Sequence, residues 1–194
     1  MHARAYYIIN GITLYRLIMA PVLILLVIDD RYELFTWALA VSFFTDAIDG
    51  FLSRSFKVTS VFGAKLDSAG DDLTVLAAVV GMVVFKDGFV RQQQALFFVL
   101  LGLFLLQTSL ALLRYRKMTG FHTYSAKIAA GLQGIFFILL FFLPEPVYPL
   151  FYIAVACTFL DLLEEILLVL LLGRWEANVK GIYWILKRNK AEDA

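Results

Sequence analysis

The sequence predicts an all-α integral membrane protein with six transmembrane helices, an interfacial helix before them and another after them. Hydrophobic residues make up 61% of the 194 residues and charged residues only 17%, far from the composition of soluble domains. Six apolar stretches each approach the roughly 20 residues that an α-helix needs to cross a bilayer. They fall at about 12–28, 34–52, 68–85, 95–113, 127–143 and 147–172.

The elements follow one another within a single predicted domain, residues 1–194. Residues 1–10 combine tyrosine and isoleucine with Arg4, which favours a short helix lying in the membrane interface. The six-helix core then occupies residues of about 12–172. Residues 173–194 mix tryptophan and tyrosine with lysine and arginine, so we predict a cytoplasmic tail with a second interfacial helix rather than a seventh span.

The distribution of lysine and arginine predicts the orientation of the spans. One side would carry fourteen of the 17 cationic residues and the other side only Arg31, Lys86 and Arg91. Because cationic loops stay in the cytoplasm, both termini should be cytoplasmic. If the protein is bacterial, the membrane should be the inner (plasma) membrane. The fourteen are Arg4, Arg16, Arg54, Lys57, Lys65, Arg114, Arg116, Lys117, Lys127, Arg174, Lys180, Lys187, Arg188 and Lys190.

Four aspartates lie where the second and third apolar stretches meet. Asp46 and Asp49 are three residues apart and Asp67 and Asp71 four apart, so each pair shares one face of a helix. Four carboxylates at membrane depth would repel one another unless cations lay between them. Oxygen ligands of this kind suit one or two hard cations, and we expect two ions of Mg²⁺ or Mn²⁺ on the cytoplasmic side.

The residues around these acids favour a phosphorylated substrate. Gly50 and Gly63 remove side chains beside the acids, which allows a substrate to approach the backbone closely. Arg54 carries a fork of donors that matches phosphate oxygens. Carboxylate-bound metals, an arginine and small residues are together the parts of a phosphoryl-transfer site.

The whole segment resembles the signature of the CDP-alcohol phosphotransferase (CDP-alcohol phosphatidyltransferase) family, Asp-x2-Asp-Gly-x2-Ala-Arg-x8-Gly-x3-Asp-x3-Asp. It extends over 26 residues and matches seven of the eight fixed positions at the family's spacing. The one mismatch is Ser53, at the position where the family commonly has alanine. The six predicted spans with cytoplasmic ends also agree with this family.

The resemblance implies a reaction and a role for each signature residue. A phosphatidyl group would pass from CDP-diacylglycerol to the hydroxyl of a small polar alcohol, with release of CMP and without a covalent enzyme intermediate. Asp71 would be the general base as well as a metal ligand. The implied metal ligands are Asp46, Asp49, Asp67 and Asp71, and the implied CDP-lipid contacts are Asn10, Thr13, Gly50, Arg54, Ser60 and Gly63.

The acceptor alcohol is less well specified. The pattern Thr13-Leu14-x-Arg16-x4-Pro21 resembles the first span of the branch that contains phosphatidylglycerophosphate synthases and cardiolipin synthases. The chain departs from that branch at Asp72, where the branch commonly has lysine, and at Ala129, which replaces a second lysine of the fifth span. Glycerol 3-phosphate is the first expectation, with Arg114 and Lys127 as candidate ligands of its phosphate. An inositol phosphate, serine or an amino alcohol stays open.

Three acids in the sixth span have no assigned role. Asp161 and Glu165 share a helix face with Glu164 beside them, and they could pair with the basic residues or attract a cationic acceptor.

A divalent-cation transporter is the alternative from a different class of protein, since it would also need intramembrane acids. Against it, the signature acids cluster at one end of their spans beside Arg54. We further expect membrane lipids and a second copy of the chain as partners, in a homodimer, and no nucleic acid.

Overall fold

The computed structural model describes most of the chain, and the described residues form seven α-helices and no strand, which confirms the all-α prediction. The described residues are 2–56, 61–117, 119–121, 123–177 and 179–192, without the side chains of 2–10, 12, 13, 47, 49–56, 61–69 and 189–192. The helices are α1 His2–Ile28, α2 Tyr32–Phe56, α3 Val61–Phe85, α4 Asp87–Tyr115, α5 Tyr124–Phe142, α6 Tyr148–Leu171 and α7 Ile182–Glu192.

The first helix differs from its prediction. We predicted a separate interfacial helix over residues 1–10, whereas α1 runs without interruption from His2 to Ile28 and includes Asn10 and Gly11. Glycine costs an interior helix position only about 1 kcal/mol, which a longer helix can absorb. The tail helix predicted after residue 173 is present as α7.

Two helices are long and apolar enough to cross a membrane within the described part of the chain, α4 and α5. α4 exposes large apolar side chains along its length, with Phe98 70% and Leu113 83% exposed, as expected of a surface that faces lipid. α1 contributes a shorter apolar helix, Leu14–Ile28. Among the residues that the structure describes, no other helix meets the same criterion, and α6 carries three acids. Six spans therefore stay a prediction.

The chain divides into two compact units, Met1–Arg91 and Gln92–Ala194. In the first unit, α1 packs against both α2 and α3, and α2 also contacts α3. Apolar side chains from all three helices pack together in the interior of this unit. They include Leu23, Phe35, Leu39, Ala77 and Ala78, each at most 1% exposed. This three-helix unit carries all four signature acids.

Gly81 gives a test of the packing in the first unit. A methyl group at this position would lie 2.2 Å from Cζ of Phe35, whose buried ring also packs against Phe85 with centroids 5.5 Å apart. Overpacking costs about 1–3 kcal/mol, more than the gain of up to about 1 kcal/mol from alanine in a helix. We expect Gly81→Ala to lower the unfolding temperature in detergent by roughly 2–8 °C.

Gly102 in α4 provides the matched control for this substitution. A methyl group there would meet nothing within 4 Å. Gly102→Ala should therefore leave the unfolding temperature unchanged or raise it slightly, because alanine favours the helix. Equal unfolding temperatures for the two variants would contradict the packing described around Phe35.

In the second unit, α5 packs along α6, with the rings of Phe136 and Phe151 5.3 Å apart. A buried cluster at the end of α6 joins that helix to α4, to the segment before α5 and to the residues that follow α6. Its members are Ala111, Phe121, Leu168, Val169, Leu172, Val179 and Ile185. Arg188 of α7 also makes two hydrogen bonds of 2.9 and 3.0 Å to Glu176, and they lower the pKa of that carboxyl. These contacts hold α7 to the end of α6.

Candidate active site

The signature acids lie in two helices that contact each other, α2 and α3, on either side of the connection between them. Asp46 and Asp49 lie in α2, ten and seven residues before its end at Phe56, and Asp67 and Asp71 lie in the first half of α3. The side chains of Asp46 and Asp71 are described and are 41% and 43% exposed. Both carboxylates are thus accessible from outside the three-helix unit.

Arg16 of α1 lies between these two carboxylates. Its guanidinium is 1% exposed, with Nη1 2.9 Å from Oδ1 of Asp46 and Nη2 paired with Oδ1 of Asp71. One side chain therefore connects the three helices of the unit at the level of the signature. A guanidinium is suited to this position because its planar fork can serve two carboxylates at once.

The contact with Arg16 was not predicted. The signal that could have identified it is its place inside an apolar helix, because a buried charge in such a segment normally has a partner. Linear spacing, however, does not show which acids of α2 and α3 the arginine faces.

The donor chemistry of this site fits a hard divalent cation. Asp46 and Asp71 supply carboxylate oxygens from two different helices, which is the ligand type that Mg²⁺ and Mn²⁺ prefer. Among the described side chains, no group of three acidic, histidine or cysteine ligands comes together. The side chains of Asp49 and Asp67 lie outside the described residues, so the four-carboxylate arrangement stays a prediction.

The predicted CDP-lipid residues fall in the same three-helix unit. Asn10 and Thr13 belong to α1, Gly50 and Arg54 to α2, and Gly63 to α3. Their side-chain surroundings lie outside the described residues, and Ser60 is outside them altogether. Their assignment to one substrate site stays a prediction.

The candidate acceptor residues lie in the second unit. Arg114, in the last turn of α4, is exposed and donates from Nε to the carbonyl of Leu172 at 3.1 Å. Lys127, in the first turns of α5, is exposed, and its Nζ lies 5.5 Å from the ring centroid of Tyr124. Both cations are thus accessible to an anion.

The three acids of α6 accept hydrogen bonds from neutral donors. Glu165 accepts from the buried Gln107 at 2.7 Å, and Glu164 accepts from the backbone N–H of Ile182, the first residue of α7, at 2.8 Å. Asp161 accepts from two hydroxyl groups. No ion pair joins them to any lysine or arginine whose side chain is described. Their observed partners are therefore hydroxyl and amide groups and not the basic residues that we considered.

Comparisons with known proteins agree with the signature. The family model of the CDP-alcohol phosphatidyltransferases matches residues 6–162. A probable phosphatidylglycerophosphate synthase of Mycobacterium tuberculosis is 31% identical over 91 residues, 44% of this chain and 44% of the relative. A CDP-diacylglycerol–glycerol-3-phosphate 3-phosphatidyltransferase of Haemophilus influenzae is 33% identical over 81 residues, 40% of this chain and 44% of the relative. These alignments thus span less than half of each relative. No solved structure matches.

Proposed function

We propose that this chain, which belongs to the CDP-alcohol phosphatidyltransferase family, transfers a phosphatidyl group from CDP-diacylglycerol to glycerol 3-phosphate. The observation that carries this proposal is the eight-position signature, whose first and last acids converge on one guanidinium. Two helices able to span a membrane support placing the reaction at a bilayer, where the lipid substrate resides. The names of the two relatives support glycerol 3-phosphate as acceptor.

The signature acids would bind the metals and activate the acceptor. Asp46, Asp49, Asp67 and Asp71 would hold two ions of Mg²⁺ or Mn²⁺, in a family that is generally dependent on divalent metals. Bound metal would neutralise the diphosphate and the departing CMP. Asp71 accepts the proton of the acceptor hydroxyl, whose oxygen forms a bond to the lipid-side phosphorus. The bond between that phosphorus and the bridging oxygen breaks, and CMP leaves with the electron pair.

The remaining predicted residues would bind the two substrates. The donor diphosphate and cytidine would lie against Gly50, Arg54 and Gly63, with further contacts at Asn10, Thr13 and Ser60. The phosphate of the acceptor would bind Arg114 and Lys127, two exposed cations that suit an anionic alcohol better than serine or an amino alcohol. We further propose that this site and both termini face the cytoplasm and that the protein forms a homodimer.

A panel of acceptors tests the proposal directly. Purified protein in detergent with CDP-diacylglycerol and Mg²⁺ is expected to release CMP when glycerol 3-phosphate is added. Glycerol, which keeps the hydroxyl groups and lacks the phosphate, is the matched control and should give little release. Serine, an amino alcohol and an inositol phosphate complete the panel, and EDTA should suppress the reaction.

Each result of the panel has a distinct meaning. Release with serine or an inositol phosphate alone would replace the acceptor while keeping the reaction class. No CMP release with any acceptor, together with uptake of Mn²⁺ into liposomes that contain the protein, would favour a cation transporter instead. In that case the arrangement of acids at one end of α2 and α3 would need a different explanation.

A further inference from the structure

α6 contacts the first turn of α5, which carries Lys127, and the carbonyl that follows its last residue accepts a hydrogen bond from Arg114. We propose that α6 positions the acceptor-phosphate site, holding Lys127 through Asp161 and Arg114 through the carbonyl of Leu172. This inference rests on the proposed function, since it assumes that these two cations bind the acceptor. It assigns a role to Asp161, whose partners the sequence left open.

Asp161 fixes the start of α5. Its Oδ1 accepts hydrogen bonds from Thr123 Oγ1 at 3.0 Å and from Ser125 Oγ at 2.9 Å. Thr123 is fully buried and is also the N-cap of α5, where its Oγ1 accepts from the backbone N–H of Ala126 at 3.1 Å. A hydroxyl can donate one hydrogen bond and accept another at the same time. Asp161 therefore orients the group that caps this helix.

The capped turn carries Lys127. The backbone N–H of Lys127 donates to the carbonyl of Thr123 at 3.3 Å, so Lys127 lies one helical turn after the cap. Ser125, within the same turn, also contacts Glu164, but its one hydrogen can be donated to only one of the two acids at a time. The first turn of α5 is thus held to α6 by side chains on both residues that flank Tyr124.

The end of α6 holds Arg114 in a similar way. The carbonyl of Leu172 accepts from Arg114 Nε at 3.1 Å and from Tyr115 Oη at 2.8 Å, and Tyr115 Oη also lies 2.9 Å from the carbonyl of Val169. These bonds satisfy carbonyls at the C-terminal end of a helix, which have no partner within the helix itself. The contact uses Nε of Arg114 and leaves its two terminal amino groups outside it. A phosphate can bind these groups without breaking the hydrogen bond to α6.

The two attachments make a kinetic prediction for Asp161. Asp161→Ala removes the acceptor of both hydroxyl groups, so the first turn of α5 loses its fixed relation to α6. We expect the KM for glycerol 3-phosphate to rise roughly tenfold, because a misplaced Lys127 weakens the binding of the acceptor phosphate. The kcat and the KM for CDP-diacylglycerol should change little. Asp161→Asn keeps an oxygen that can accept these hydrogen bonds and should restore most of the acceptor affinity.

Two further variants make the result decisive. Thr158 also joins α6 to α5, through a 2.6 Å hydrogen bond from Gln133, but lies away from the cap of α5. Thr158→Val is therefore the control and should leave the KM for glycerol 3-phosphate unchanged even if the unfolding temperature falls. Lys127→Gln tests the acceptor site itself and should raise the same KM by tenfold or more.

The outcomes separate the two levels of the proposal. An unchanged KM for glycerol 3-phosphate in Lys127→Gln would overturn the proposed acceptor site. A raised KM in Lys127→Gln with no change in Asp161→Ala would overturn only the positioning role of α6. A loss of kcat and of both substrate affinities in Asp161→Ala, in parallel with a lower unfolding temperature, would show a purely structural role and would also overturn it.

Discussion

Replacing Asp71 by asparagine is expected to abolish CMP release while largely retaining the binding of CDP-diacylglycerol. Asparagine has nearly the shape of aspartate but cannot accept a proton from the acceptor hydroxyl, and it is a poorer ligand for a hard cation. Loss of a general base alone lowers turnover by about 10²–10⁴-fold. The loss of a metal-binding carboxylate adds to this effect. The measurement is CMP release at saturating glycerol 3-phosphate, beside a binding assay with the CDP-lipid.

Asp72 supplies the matched control. It follows Asp71 directly in α3, but its side chain is exposed and points about 100° away on the helix. Asp72→Asn makes the same chemical change one residue away and should retain most of the turnover. Wild-type turnover in Asp71→Asn would contradict the assignment of Asp71 as the general base. Equal losses in both variants would show that removing a negative charge anywhere in this turn is what matters.

The signature itself was readable from the sequence because it is local. The spacings of three and four residues place each pair of acids on one helix face, and the structure has both pairs in helices, α2 and α3. The tail helix could be predicted for the same reason, from the aromatic and cationic residues within α7. The predicted break before the first span is wrong, because α1 continues through Asn10 and Gly11. Asparagine and glycine often end helices, but they are weak evidence for a helix end where the neighbouring residues favour a continuous helix.

The partners of buried charges were beyond the reach of sequence patterns. Asp161 and Glu165 were recognised as acids in an apolar helix, for which partners were expected. Their partners, however, are Thr123, Ser125 and Gln107, which lie more than 30 residues away and carry no charge. Hydroxyl and amide groups are common in any sequence, so only the packing of α4, α5 and α6 shows which of them donate.

The contacts of Arg16 are likewise those of a buried charged side chain, and its substitution should have a large effect on stability. We expect Arg16→Met, measured with EDTA, to lower the unfolding temperature because Asp46 and Asp71 lose their shared cation. Breaking a buried ion pair costs about 3–5 kcal/mol, but these carboxylates are 41% and 43% exposed, so water offsets part of the loss. A cost of about 2 kcal/mol corresponds to a fall of roughly 4–8 °C. Arg16→Lys keeps the positive charge but lacks the forked guanidinium. Its unfolding temperature should therefore lie between those of the wild type and Arg16→Met.

The response to Mg²⁺ distinguishes this role from simple packing. If the metal site uses Asp46 and Asp71, a divalent cation can neutralise the carboxylates that Arg16→Met leaves without their arginine. Since a ligand that binds only the native state stabilises it, Mg²⁺ should raise the unfolding temperature of Arg16→Met more than that of the wild type. Arg91→Met is the control, because Arg91 is 81% exposed and its ion pair with Asp87 contributes at most about 1 kcal/mol. An equal rise with Mg²⁺ in wild type and Arg16→Met would show that the arginine and the metals do not share these carboxylates.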